Sequence, residues 1–306
     1  MDKNKYALQR SGAGIRGNSL RLPAWVKVKN SGGLRDTRIL LRRFGLATVC
    51  EEARCPNRSE CFSIPTAAFM ILGSKCTRNC AFCAVESSLP EPLDQTEPTR
   101  VAMAAREMGL RYVVISSVTR DDLHDGGAGH FAETVSSIRT YVSGVKIEVL
   151  TPDFRGNRSS IDSVLNAKPD VYNHNIETVS RLYPVVRPSA EYRRSLALLE
   201  YAKKTAPDIY TKSGLMLGLG ENLDEVMHAL RDLRNAGCDF VTIGQYLRPS
   251  RSNHPVVEYI HPGIFEKLRL AALSMGFKYA ASGPLVRSSM NAENMYNRAE
   301  SLPIAQ

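Results

Sequence analysis

The chain has no long apolar run and no visible export signal. Its longest apolar stretches, such as 67–73 and 112–115, are strand-sized and far shorter than the roughly 20 residues of a membrane-spanning helix. Residues 1–23 are basic and polar and contain no apolar core, unlike a secretory signal. We therefore expect a cytoplasmic protein that does not associate with a membrane.

The sequence also lacks the cysteine pattern of a disulfide framework. Its seven cysteines are an odd number, and six of them lie between residues 50 and 83. Thiols stay reduced in the cytosol, where clustered cysteines are typical of metal ligation. The seventh, Cys238, is interpreted as a small buried apolar residue.

Acidic residues are the minority among the charged ones. Lys and Arg number 40 against 31 Asp and Glu, which gives a formal charge of +9. This balance indicates either a basic solvated surface or an anionic partner. Because no basic run is interleaved with aromatic residues and no zinc-finger spacing occurs, we predict no nucleic-acid partner and favour an acidic protein domain.

Short β-rich apolar runs alternate with helical patterns along most of the chain. The strands are predicted at 67–73, 111–117, 145–151, 170–175, 209–217 and 239–245, and the helices at 99–108, 129–141, 159–167, 193–204 and 223–236. This alternation predicts an α/β fold, a parallel sheet covered by helices. Chain order alone does not separate an open doubly wound sheet from a barrel. Polar residues gather where the strands end, so we favour a partial (β/α)6 barrel.

Six cysteines form two triplets with different spacings. They are Cys50, Cys55 and Cys61, spaced C-x4-C-x5-C, and Cys76, Cys80 and Cys83, spaced C-x3-C-x2-C. Three thiolates are one too few to close a four-ligand metal site. Each triplet therefore recruits a ligand that is not cysteine or leaves one coordination position open.

The second triplet follows the first predicted strand, on a loop where barrels place their chemistry. Three cysteines can hold three corners of an iron–sulfur cubane and leave the fourth iron open to substrate or cofactor. Lys75 and Arg78 would stabilise its negative charge. A zinc site is an alternative, with His124 or His130 as a conceivable fourth ligand away from the usual spacing, and inert buried cysteines are another.

This triplet, with Phe82 before its last cysteine, resembles the radical S-adenosylmethionine superfamily. The resemblance implies that Cys76, Cys80 and Cys83 hold a catalytic [4Fe-4S] cluster whose open iron binds S-adenosylmethionine. Electron transfer from the cluster would then produce a 5′-deoxyadenosyl radical.

The first triplet resembles the auxiliary-cluster motif of lipoyl synthases. Further segments that resemble this family are 118–131, 153–156, 173–178, 212–221 and 244–249. The resemblance implies a sulfurtransferase that inserts two sulfur atoms at C6 and C8 of a protein-bound octanoyl chain. The sulfur would come from an auxiliary [4Fe-4S] cluster on Cys50, Cys55 and Cys61, which is consumed in turnover.

Near the C-terminus, Arg287-Ser288-Ser289-Met290 resembles the family's Arg-Ser-Ser-Tyr motif, with Met in place of Tyr. The resemblance implies that a serine is the fourth ligand of the auxiliary cluster. We favour Ser289, also as a catalytic group, and keep Ser288 as the alternative. The predicted parts are an N-terminal arm with the auxiliary segment (1–62), the barrel (63–280) and a tail that caps the site (281–306).

Three polar residues near the fourth predicted strand, Asn173, Glu177 and Arg187, are predicted to bind S-adenosylmethionine, and loop capping or ion pairing is the alternative.

The implied protein partners are octanoylated lipoyl-carrier domains (E2 subunits of 2-oxoacid dehydrogenases and the glycine-cleavage H protein), a flavodoxin or ferredoxin as reductant, and an iron–sulfur carrier. Competing hypotheses are a biotin-forming or methylthiolating radical enzyme, a two-cluster electron carrier, and an iron-sensing protein that binds nucleic acid.

Overall fold

The computed structural model describes residues 22–26, 34–57, 61 and 67–301. The strands are β1 Ala47–Thr48, β2 Ala67–Ile71, β3 Lys75–Cys76, β4 Glu86–Ser87, β5 Tyr112–Ser117, β6 Lys146–Leu150, β7 Val171–Asn173, β8 Tyr210–Leu217, β9 Phe240–Gln245 and β10 Tyr279–Gly283. The α-helices span Leu34–Arg43, Val49–Glu52, Glu97–Glu107, Ala128–Tyr141, Arg158–Asn166, Tyr183–Val186, Tyr192–Thr205, Leu223–Asn235, Pro262–Ser274 and Ala292–Glu300. Among these residues, no helix has the length and apolar character needed to cross a bilayer.

The main sheet has eight strands whose spatial order follows the chain: β1-β2-β5-β6-β7-β8-β9-β10. All neighbours are parallel except β1, which pairs antiparallel with β2. A doubly wound sheet reverses its strand order at a switch point, and this sheet has no reversal. The predicted α/β fold is confirmed, and its single winding is that of an open, barrel-type sheet.

All six predicted strands and all five predicted helices are present, with ends that differ by at most two residues. The sequence patterns missed β1, β3, β4 and β10, and also the helices Val49–Glu52, Tyr183–Val186, Pro262–Ser274 and Ala292–Glu300. β10 reads Tyr-Ala-Ala-Ser-Gly, so it carries no β-branched residue and gives little strand signal.

The two faces of the sheet have different covers. Successive side chains of a strand point to opposite faces. In β5, Val113 and Ile115 belong to the large core that contains the covering helices, whereas Tyr112 and Val114 pack with Tyr296. The helix Ala292–Glu300 therefore packs against the face opposite to the other helices. The loop 284–291 leads to it from the carboxyl end of β10.

Candidate functional site

The second cysteine triplet lies on a loop that is held at both ends. β3, which ends at Cys76, pairs with β4 in a two-stranded ribbon directly after β2. The backbone N–H of Cys83 donates to the carbonyl of Cys80 at 3.0 Å, and the N–H of Ala81 donates to the carbonyl of Val186 at 2.9 Å. The loop is thereby fixed at the carboxyl edge of the sheet, as predicted for a βα-loop.

Backbone amides point at the sulfur atoms of this triplet. Arg78 N and Thr119 N donate to Cys76 Sγ at 3.4 and 3.3 Å, and Val85 N donates to Cys83 Sγ at 3.4 Å. Burial raises the pKa of Cys83 to about 12 and also raises the pKa of Cys80, where the Arg187 charge opposes it. A metal has to displace these protons, and the amides then stabilise the thiolates.

The first triplet is brought together by a short helix and a turn. Thr48 caps the helix Val49–Glu52 by accepting a hydrogen bond from Glu51 N, and Cys55 N donates to Cys50 O at 3.1 Å. Hydrogen bonds that the Cys50 thiol donates to the sulfur atoms of Cys55 and Cys61 raise the pKa of Cys50, and burial adds to the effect. The Cys50 thiol therefore lies within hydrogen-bonding reach of both other thiols.

In the described residues, no three His, Cys, Asp or Glu side chains are arranged around one metal ion. The thiolates of a cubane each bind a different iron, so they do not have to converge on one point.

The C-terminal loop contacts the first cysteine segment and comes close to Glu177. Asn57, two residues after Cys55, donates from Nδ2 to the carbonyl of Leu285 at 2.5 Å and to Met290 Sδ at 3.3 Å. The Arg287 guanidinium is close enough to both Cys55 and Glu177 for their charges to act on it. The sequence analysis did not identify Asn57 or Arg287 as site residues, because their roles depend on contacts between distant segments.

The three residues predicted to bind S-adenosylmethionine lie together. Asn173 is buried at the end of β7. Burial raises the pKa of Glu177, and the charge of Arg187 opposes that shift. Arg187 donates from Nη1 to the carbonyls of Asn175 and Ile176 at 3.0 and 3.2 Å. Their predicted role in binding the cofactor stays a prediction.

Two buried polar atoms of this group lack a partner among the described residues. They are Asn173 Oδ1 and Arg187 Nε. A buried polar group without a hydrogen bond is costly, so such atoms are typical of places where a ligand completes the bonding. The two atoms offer one acceptor and one cationic donor.

The basic residues beside the second triplet are engaged by carboxylates. Arg78 is buried and donates to Asp121 Oδ2 at 2.7 Å and to Asp153 Oδ1 at 2.5 Å. Lys75 forms an ion pair with Glu91 at 3.2 Å. Both positive charges are thus largely balanced by carboxylates. Of these two basic residues, Arg78 alone donates a hydrogen bond to a sulfur atom, and it does so through its backbone N–H.

The two histidines considered as alternative zinc ligands are His130 and His124. His130 is hydrogen-bonded to a glutamate, and His124 lines a cavity beside Asp121. His130 Nε2 is hydrogen-bonded to Glu97 Oε2 at 2.7 Å, and the same carboxylate oxygen accepts from Leu72 N. His124 lines a cavity of about 370 Å³ beside Asp121 and Phe154. The zinc alternative therefore gains no support from His130.

Comparisons with known proteins define the class first. A family model described as the radical SAM superfamily matches residues 70–244, more than half of the chain. The structure of methylornithine synthase (PylB) superposes with a TM-score of 0.52 at 16% identity, over 78% of this chain and 72% of that one. HydG, a maturase of the [FeFe]-hydrogenase, gives 0.55 at 16% identity, over 69% of this chain and 49% of that one. These structures share the fold, and the chain has the radical SAM fold and its cysteine loop.

Sequence relatives narrow the class to one family. A lipoyl synthase of Caldicellulosiruptor bescii is 57% identical over 277 residues, which cover 90% of this chain and 95% of the relative. A lipoyl synthase of Alkaliphilus metalliredigens is 51% identical over 287 residues, 93% of this chain and 99% of the relative. The chain belongs to the lipoyl synthase family.

Proposed function

We propose that this enzyme inserts sulfur at C6 and C8 of an octanoyl chain carried on a protein domain. The observation that carries the proposal is that one C-terminal loop contacts the first cysteine segment and lies beside Glu177, whose charge acts on Cys80 and Cys83, within a chain of the lipoyl synthase family. C6 and C8 are unactivated carbons, and no side-chain base can remove their hydrogens. Radical chemistry beside a sulfur source meets that requirement.

The residues present fit two [4Fe-4S] clusters and S-adenosylmethionine. Each triplet presents three thiols, and the second has backbone donors aimed at its sulfur atoms. Asn173 Oδ1 and Arg187 Nε offer unpaired partners to a polar, charged cofactor. When bound, the cluster on the second triplet supplies the electron that cleaves S-adenosylmethionine, and the auxiliary cluster supplies sulfur.

The chain's own residues divide the work. Cys76, Cys80 and Cys83 hold three corners and leave one position open to the cofactor, beside Arg187 and Glu177. Cys50, Cys55 and Cys61 hold the second site, and Ser289 supplies its remaining ligand. A serine oxygen is a hard ligand among soft sulfides, so it is the corner that is most easily released.

The protein substrate is a lipoyl-carrier domain, and turnover requires a reductant. We propose E2 subunits of 2-oxoacid dehydrogenases and the glycine-cleavage H protein as carriers, a flavodoxin or ferredoxin as reductant, and an iron–sulfur carrier that rebuilds the auxiliary site. The formal charge of +9 supports docking to an acidic domain. We place the enzyme in the cytoplasm.

Replacing one cysteine at a time tests the division of labour. Alanine at Cys76, Cys80 or Cys83 should abolish reductive cleavage of S-adenosylmethionine, because the open iron is lost. Alanine at Cys50, Cys55 or Cys61 should leave cleavage largely intact while no sulfur enters the octanoyl chain. The measurements are 5′-deoxyadenosine by chromatography and thiolated peptide by mass spectrometry, with Cys238→Ala as the matched control. Equal loss of cleavage in both sets of well-folded variants would show that the two sites are not separate.

A further inference from the structure

The two neighbouring serines of the C-terminal loop have different surroundings. Ser288 Oγ accepts a hydrogen bond from Asn173 Nδ2 at 2.9 Å and donates to Asn175 Oδ1 at 3.0 Å. No hydrogen bond joins the hydroxyl of Ser289 to any residue that the structure describes. One hydroxyl is thus engaged by the barrel, and its neighbour has no hydrogen-bond partner within the part of the chain that the structure describes.

The hydrogen bonds through Ser288 form a chain whose direction is set at both ends. Asn173 Nδ2 also donates to Glu148 Oε1 at 2.7 Å, and the side chain of Asn175 hydrogen-bonds Glu177. A carboxylate only accepts, so the amide nitrogen of each asparagine must face its glutamate. That orientation turns Asn175 Oδ1 towards Ser288. The Ser288 hydroxyl, which accepts from Asn173, must therefore donate its proton to Asn175 Oδ1. Such aligned chains reinforce one another.

The inner end of this chain is anchored in the sheet. Lys212 Nζ contacts Glu148 Oε1 and Oε2 at 2.9 and 3.0 Å, and Tyr112 Oη donates to Glu148 Oε2 at 2.9 Å. Glu148 and Lys212 are 1% and 0% exposed, so no water competes for these bonds. Asn173 is therefore held in a fixed position by strands on both sides of β7.

Glycine at position 244 leaves room for the loop. A Cβ atom at Gly244 would lie 2.2 Å from the carbonyl oxygen of Val286 and 3.1 Å from Arg287 Nη1. The N–H of Gln245 donates to the carbonyl of Pro284 at 3.3 Å. Backbone contact with β9 and the side-chain contacts of Ser288 together seat the loop against the ends of the strands.

We propose that Ser288 is the anchor of the C-terminal loop, and that Asn173 and Asn175 are positioning residues that seat it so that Ser289 faces the auxiliary cysteines. This inference rests on the proposed function for its consequence, since Ser289 acts there as the remaining ligand. It also gives Asn173 a second role, because its Nδ2 holds the loop while its Oδ1 is open to the cofactor.

Matched serine variants of the full chain test the proposal without clusters. In the Ser288→Ala variant the amide hydrogens of Val286 and Met290 should exchange with solvent about tenfold faster than in the wild-type protein, because two hydrogen bonds that hold the loop are lost. Ser289→Ala should exchange them at the wild-type rate. Asn175→Ala should resemble Ser288→Ala, and Ser288→Thr, which keeps the hydroxyl, should resemble wild type. Hydrogen-exchange mass spectrometry measures all four.

Reconstituted enzyme allows a second measurement, the ratio of 5′-deoxyadenosine formed to sulfur inserted, which a loss of stability alone would not change. Ser288→Ala should raise the 5′-deoxyadenosine formed per sulfur atom inserted severalfold, because a misplaced Ser289 disturbs sulfur delivery and not cleavage. The proposal is overturned if both serine variants exchange alike, or if Ser288→Ala keeps the wild-type ratio. Should wild-type enzyme insert no sulfur, the proposed function fails, while the exchange comparison still decides the role of Ser288.

Discussion

At the residue scale, His174 is a buried base that folding keeps neutral. Its Nδ1 is hydrogen-bonded to the carbonyl of Thr151 at 2.8 Å and its Nε2 to Ser195 Oγ at 3.0 Å. Burial lowers the pKa of His174 to about 4, and the charge of Arg187 contributes. The unfolded chain binds this proton near pH 6.5, so unfolding is favoured as the pH falls from about 6.5 towards 4.

This linkage predicts a specific acid sensitivity. Between pH 7.5 and pH 5.0 the cluster-free chain should lose roughly 2 kcal/mol of unfolding free energy through His174. The loss arises over the about 1.5 pH units between pH 6.5 and pH 5.0, where the unfolded chain binds the proton and the folded chain does not. Urea unfolding measures it. His174→Gln should be less stable than wild type at pH 7.5 but should lose correspondingly less on acidification. A drop of the same size in both proteins would contradict the assignment.

A second residue-scale effect acts in the same direction. Burial would raise the pKa of Asp153, but its hydrogen bond to Arg78 prevails and lowers the pKa to about 2. A lowered carboxyl pKa gives stability that is present above about pH 4 and lost as the pH falls through 2. The contribution of Asp153 therefore changes with pH only below the window in which His174 acts, so the two effects are distinguishable by pH.

At the scale of elements, β6 and β8 are joined across the short strand β7 by one buried ion pair. Glu148 on β6 and Lys212 on β8 satisfy each other, with Tyr112 and Asn173 completing the bonds of the carboxylate. A buried pair adds little over an apolar replacement, but removing one partner leaves a charge without compensation.

Lys212→Met should therefore destabilise the chain by about 3–5 kcal/mol. The matched control is Lys204→Met, which breaks the exposed pair with Glu200 and should change stability little. Denaturant unfolding at pH 7.5 measures both. A mild effect of Lys212→Met would mean that Glu148 is neutral or solvated in the folded protein.

At the scale of the whole molecule, the excess of positive charge predicts salt-sensitive docking. Affinity for an acidic octanoylated carrier domain should fall as ionic strength rises from about 0.05 to 0.5 M, because surface charges are screened beyond a few ångströms at high salt. Calorimetry measures it, with a carrier whose acidic surface is neutralised as the control. Constant affinity across the series would show that docking is not electrostatic.

The predictability of the fold differs between its two ends. β2, β5 and β9 are largely apolar runs, so local sequence patterns located them. β10 and the helix Ala292–Glu300 are built from small and polar residues, and their packing against the sheet gives no local signal. The site follows the same division. Cysteine spacing indicated two metal sites, whereas the ion pairs of Arg78 with Asp121 and Asp153 were not visible.

The sequence by itself determined the alternating strands and helices and the two cysteine triplets, because each of these features depends on residues that are close along the chain. Only the tertiary structure decided which of the two neighbouring serines is engaged by the barrel. Ser288 meets Asn173 across 115 residues of chain, and Asn57 meets Leu285 across 228. Contacts of that separation arise from how the sheet winds, and no local pattern encodes them.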